Sequence, residues 1–312
     1  MSYTIEIKKE ISAKKNTTSE SIAELSAYIR NNSNITDKNI IITTENHFLI
    51  NRITEQIKDL FDISAKEEII ENLNFSKNVL YQLMIDEKLD IICKSLGIYD
   101  EHNNFLDNVP KYIVGANEEI RAYLRGAFFA TGSINDPKKS RYHLEILTST
   151  PQESVFIQKL LNLFDLNAKI LARDKGYMIY IKEAEKISDF IKILGANKAV
   201  MYYENVRIYR EEKNKTNRLN NCEQANMDKV FETANEQLKQ IEIIEQNDGK
   251  MLLDDKTKQA LEYRKKYPET SLKELAEIIS VETGKSITKS GLNHRMRKIK
   301  DLAKKFAQTN EW

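Results

Sequence analysis

Cysteine is almost missing: the chain has two, Cys93 and Cys222, far apart in sequence. That excludes a disulfide framework and leaves no cysteine spacing suited to a zinc site. Proline and glycine are also scarce, four and nine in 312 residues, so no long disordered tract is expected and the chain reads as folded throughout. Long apolar runs are absent. The longest stretch free of charge is the ten residues from Gly126 to Asn135, well short of the roughly 18 apolar residues a membrane span needs. The opening MSYTIEIKKEIS has no apolar h-region, so no export is expected and a reducing cytoplasm is the simplest home. No Ser-His-Asp or Cys-His grouping and no glycine-rich phosphate loop is present. His47, His102 and His143 therefore read as structural or surface residues, and no cofactor is expected.

What is present is charge, unevenly placed. Residues 1–197 carry 25 basic and 28 acidic groups, whereas 198–312 carry 23 and 19, which together give the net charge of +1. From Lys285 to Lys305 there are eight basic residues and one acid. Such a patch is either the footprint of a phosphate-binding surface or a solvated lysine-rich helix face, and its position in the fold must decide.

The first 195 or so residues contain one unit twice. QIKDLFDIS (56–64) is echoed by KLLNLFDLN (159–167), and DIICKSLGI (90–98) by SDFIKILGA (188–196), in the same order. Each unit opens on a segment of helical period, Ser19 to Asn31 and Glu118 to Thr131. Strand-like runs follow at Asn39–Thr43, Asp62–Asn74 and Asn78–Ile85 in the first unit, and at Tyr142–Leu147, Ala168–Arg173 and Gly176–Lys182 in the second. A helix separates the first run from the later pair, and another closes each unit. This predicts a duplicated α+β unit whose sheets are covered by helices on one face and open on the other.

Met201 to Gln246 reads as one or two long helices rich in Asn and Arg. Arg210, Asn214 and Arg218 share a face, as do Asn217 and Asn221, because residues four apart are neighbours on a helix. The segment is either a polar connector or a second DNA-contacting element. Asn247-Asp248-Gly249 marks a turn, giving domains at 1–200 and 251–312 with a helical linker at 201–250.

In the last domain a helix over Asp254–Tyr267 is stopped by Pro268. Ser271-Leu272-Lys273-Glu274 then reads as a capping box opening a second helix, with Leu272, Leu275, Ala276 and Ile279 facing inward. After Gly284 and Lys285, Ser286 or Thr288 caps a third helix that buries Leu292, Met296, Ile299, Leu302 or Ala303, and Phe306. Its polar face shows Lys289, Ser290, Asn293, His294, Arg297 and Lys298, with Arg295 near the edge. Arg and Asn can bridge purine edges, while Lys, Ser and Thr hold phosphates. A short capped helix, a turn and a basic helix predict a helix-turn-helix whose second helix enters the major groove of double-stranded DNA. The candidate contacts are thus Ser271, Lys285, Thr288, Lys289, Ser290, Asn293, His294, Arg295, Arg297 and Lys298.

RAYLRGAFFATGSINDP (121–137) with YHLEI (142–146) resembles the second LAGLIDADG helix of the WhiA family. NRLNNCEQAN (217–226) and KSGLNHRMRKI (289–299) resemble that family's linker and helix-turn-helix signatures. The resemblance implies two pseudo-symmetric LAGLIDADG units of αββαββα pattern, tethered to an all-α helix-turn-helix domain. It also implies a DNA-binding regulator of cell division, chromosome segregation and, in some bacteria, sporulation, associated with the nucleoid. Gly126 and Ala27 supply small surfaces on which the two LAGLIDADG helices can pack. In cleaving relatives each such helix ends in an acid that holds divalent metal. Aligning Gly126 with Ala27 puts Thr131 and Asn32 there, so a non-enzyme without a metal is expected. The net charge of −3 on the N-terminal domain argues against a large phosphate footprint and leaves it open to protein partners. A metal-dependent site-specific endonuclease using other acids, and a protein-interaction scaffold, are the alternatives.

Overall fold

The computed structural model describes residues 2–71, 79–139 and 141–309. The chain divides into two compact units, Met1–Arg210 and Glu211–Trp312.

The first unit opens with helix α1 (Tyr3–Ser12). One repeat then runs α2 (Thr18–Asn32), β1 (Ser33–Ile35), β2 (Ile40–Thr44), α3 (His47–Phe61), β3 (Lys66–Glu71), β4 (Val79–Ile85) and α4 (Leu89–Ser95). The second runs α5 (Asn117–Thr131), β5 (Ser133–Ile134), β6 (Leu144–Thr148), α6 (Pro151–Asn162), β7 (Lys169–Arg173), β8 (Gly176–Ile181) and α7 (Ala184–Leu194). Both sheets are antiparallel with matching orders, β1-β2-β4-β3 and β5-β6-β8-β7. The fold is therefore α+β and duplicated, in the expected αββαββα pattern.

Local chemistry accounts for these elements. Thr17 and Glu20 form a capping box at the start of α2, and Thr150 caps α6 with Pro151 in its first turn. In the sheets, Ile42 faces Leu83 and Ile146 faces Ile179, all buried, while Thr43 and Leu147 between such pairs are exposed. That alternation is the signature of strands packed on one side.

Helix α2 packs along α5 at the centre of the unit. A Cβ on Gly126 would collide with the Glu24 carbonyl oxygen and lie 2.9 Å from the Ala27 Cβ, so only glycine allows this approach. Several polar groups buried here pair with one another. Fully buried Arg125 donates to Glu24 at 3.1 Å and to Asn16 at 2.9 Å, and Arg52 and Gln56 from α3 also donate to Glu24. Burial pushes the Glu24 carboxyl up, but Arg52 and Arg125 outweigh it and hold the group below the usual range.

Several sequence expectations need correction. The strand expected over Asp62–Asn74 is shorter, because Asp62 sits in the left-handed conformation that ends α3, and β3 begins only at Lys66. Residues 72–74 and Asn78 lie outside the described residues. The opening segment is a helix, burying Tyr3, Ile7 and Ile11 at four-residue spacing. The strands β1 and β5 follow α2 and α5 within a residue and are too short for periodicity to reveal.

One continuous helix, α8 (Asn197–Gln246), leaves the first unit and enters the second. Glu10 of α1 accepts from the amides of Lys198 and Ala199 at 2.7 and 3.0 Å and so caps its start. Every residue from 211 to 229 is exposed. Beyond it, Asp248 adopts a left-handed turn, followed by α9 (Asp255–Lys266), α10 (Leu272–Thr283) and α11 (Lys289–Thr309). Ile241, Ile244, Leu261, Leu275, Ile279, Leu292, Met296, Ile299 and Ala303 form the second core, with Leu272, Leu302 and Phe306 partly buried against it.

Candidate nucleic-acid interface

Three short helices form this site. Asp254 caps α9 through Thr257, and Ser271 with Glu274 makes the anticipated capping box on α10. The turn between them is held by a buried cation: Arg264, 1% exposed, donates to the carbonyls of Thr270 at 2.7 Å and Tyr267 at 3.3 Å. Glu282 near the end of α10 accepts from Tyr267 at 2.7 Å and from Lys266, and these partners with Tyr263 hold its carboxyl down at about 2. Gly284 takes the left-handed turn that ends α10. Of the two possible caps for α11, Thr288 serves: its hydroxyl accepts from the Gly291 amide at 3.1 Å. Buried Leu292, Met296, Ile299 and Ala303 fix the rotation of α11, which turns Ser290, His294, Arg297 and Lys298 outward.

The candidate residues fall into three groups. Lys285, Lys289, Ser290, His294 and Arg297 are exposed and Asn293 is half-buried. Among the described residues none of these six side chains is committed to a hydrogen bond or ion pair. Thr288 and Ser271 are engaged as helix caps. Arg295 and Lys298 lie on the flank facing α9: Arg295 donates to the Lys256 carbonyl at 3.3 Å, and the Lys298 ammonium meets Asp254 at 2.7 Å. Lys298 and then Thr257 hold the Asp254 carboxyl well below its usual range. Sequence reasoning missed this α9 flank. An acid ahead of a helix signals a cap, and only packing shows that it also reaches a lysine 44 residues away.

In the α8 segment, Asn214, Asn217, Arg218 and Asn221 are exposed. Arg210 is separate from them. It belongs to the first unit, where it donates to the Pro137 carbonyl and stacks 4.8 Å from the Tyr142 ring.

At the ends of the two central helices stand Asn32 and Thr131, the last residues of α2 and α5. Both face their own sheets. Asn32 donates to the Tyr28 hydroxyl at 2.9 Å and the Thr43 carbonyl at 3.2 Å, and Thr131 to the Leu147 carbonyl at 2.6 Å. Neither side chain carries a carboxylate, the anionic donor on which hard-cation sites mainly draw. Among the described residues no group of three or more His, Cys, Asp or Glu is placed to hold a metal, and no helix is long and apolar enough to cross a membrane.

Fold and site together define a duplicated LAGLIDADG-like α+β body carrying a helix-turn-helix. Comparison with known proteins makes this particular. Residues 18–99 match the WhiA N-terminal LAGLIDADG-like domain, 120–213 the WhiA LAGLIDADG-like domain, and 216–303 the WhiA C-terminal HTH domain. The chain is 39% identical over 312 residues to a probable cell division protein WhiA of Brevibacillus brevis, covering 99% of this chain and 98% of the relative. It is 38% identical to the one from Enterococcus faecalis, covering 99% of each. The crystal structure of full-length DUF199/WhiA from Thermatoga maritima has the same fold, with a TM-score of 0.57 at 22% identity, covering 98% of both chains. The chain belongs to the WhiA family.

Proposed function

We propose that this protein binds double-stranded DNA sequence-specifically through α11, acts in cell division and chromosome segregation as a transcriptional regulator, and does not cleave DNA. The observation that carries the reading is the set of uncommitted polar side chains on the outward face of the second helix of a helix-turn-helix. Ser290, Asn293, His294 and Arg297 lie within its first two and a half turns, where such a helix meets base edges. Lys285, Lys289 and the capped N-termini at Ser271 and Thr288 suit the flanking phosphates. Asn214, Asn217, Arg218 and Asn221 form a second polar face available to the same duplex. The cell-division role follows the names of the relatives, the parts in chromosome segregation and transcription follow what the family resemblance implies, and the non-catalytic reading rests on Asn32 and Thr131, neither of them acidic, at the ends of α2 and α5.

Titration of a bound duplex at several salt concentrations tests this. Arg297→Ala is expected to weaken binding and, if the side chain holds a phosphate, to reduce the log-log salt slope by about 0.9; if it reads guanine, about 1–3 kcal/mol of discrimination disappears at one position. The wild-type complex in Mg²⁺ is expected to keep both strands intact. Unchanged affinity in Arg297→Ala, or nicking by the wild type, would overturn the corresponding half of the proposal.

A further inference from the structure

Beside the first turns of α11 lies a shallow hollow in which Lys256, His294, Arg295 and Lys298 are the basic residues and Asp254 and Asp255 the acids. Asp254 divides its carboxylate between two tasks. Its Oδ1 accepts from the Thr257 amide and hydroxyl, both at 2.9 Å, while its Oδ2 takes the Lys298 ammonium at 2.7 Å. Capping does not require the second oxygen, since Asn or Ser caps a helix as well as Asp does. Lys298 follows His294 by one helical turn, on the half-exposed flank of α11 that faces α9.

We propose that Asp254 is a brake on sequence-independent DNA binding. The inference rests on the DNA-binding reading above and concerns how strongly that same face is attracted to any duplex. Non-specific affinity comes from neutralised phosphates, each adding about 0.9 to the salt slope. A lysine paired with Asp254 adds no net charge to the face, and the carboxylate repels the phosphate that would replace it. Both groups are about half exposed, 49% and 50%, so the pair is loose enough to open. Lys298 is thereby held in reserve and contributes little to the background affinity for arbitrary sequence.

The test is Asp254→Asn, which keeps an oxygen for Thr257 and replaces the other with an amide that cannot accept from Lys298. On a random-sequence duplex near 0.1 M salt, affinity is expected to rise on the order of fivefold and the slope to steepen by about 0.9. Adding Lys298→Ala to that variant should cancel the gain in both affinity and slope. Asp254→Ser, which also caps but lacks the second acceptor, should reproduce the gain and guards against a cap-specific effect of Asn. Unchanged affinity and slope in both Asp254 variants, or a gain that survives removal of Lys298, would overturn the brake. Failure of the wild-type protein to bind duplex at all would instead overturn the reading beneath it.

Discussion

Lys8 shows how a single residue can tie stability to pH. The residue is 8% exposed, and its ammonium donates to the Phe129 carbonyl at 3.0 Å near the end of α5 and lies 5.4 Å from the Phe128 ring centroid. Burial nevertheless dominates and pulls its pKa from 10.5 down to about 8. A base with a lowered folded pKa binds fewer protons folded than unfolded between those values, so stability rises as pH climbs through that window. Unfolding free energy is expected to grow by about 2 kcal/mol from pH 8 to pH 10. Above that the tyrosines reverse the trend: burial holds Tyr3, Tyr123 and Tyr203 protonated in the fold, whereas in the unfolded chain they ionise at about 10. Denaturant melts at stepped pH check this. Lys8→Met should flatten the rise, and an equal rise in that variant would assign it to another group.

At the scale of elements, α8 is unusual in that 211–229 bury nothing on any side. A helix gains most of its stability from packing an apolar face, and polar stretches of this length are marginal in water. Local support is thin: Gln224 bonds Asp228 at 2.9 Å, but Asp228 and Glu232 are like charges four apart. Hydrogen exchange should therefore find these amides protected far less than those at 237–244, where Gln237, Ile241 and Ile244 are buried. Uniform protection along α8 would mean that something covers the exposed stretch in solution. The same contrast explains what the sequence made legible. Capping boxes at Ser271 and the periodic faces of α2, α5, α10 and α11 are local signals, and they placed those elements within a residue or two. The helix α1 was hidden because Tyr3, Ile5 and Ile7 alternate with polar residues as in a strand, and β1 and β5 because strands of three and two residues have no period to read. The exposed face of α11 was readable from its spacing. The Lys298–Asp254 pair and the buried Arg125–Glu24 contact join residues far apart in sequence, and nothing in local pattern announces either.

For the whole molecule, the two hydrophobic cores share no residue: one is built from Tyr3 to Tyr203, the other from Ile241 to Ala303. In sequence they are joined through α8, whose residues 211–229 bury nothing, and an unpacked helix transmits little packing energy. The two units should therefore unfold separately, each with a midpoint set by its own core. Leu292, fully buried where α11 meets the second core, allows a decisive test. Leu292→Ala removes packing worth about 2–5 kcal/mol, enough to lower the melting of a domain of this size by about 10 °C or more. In calorimetry of the full-length variant only one of two transitions should move, with the other unchanged. That would place the loss in the helix-turn-helix unit and leave the LAGLIDADG-like body folded. A single transition that shifts as a whole would show instead that α8 couples the cores, and the hydrogen-exchange contrast expected within α8 should then be absent as well.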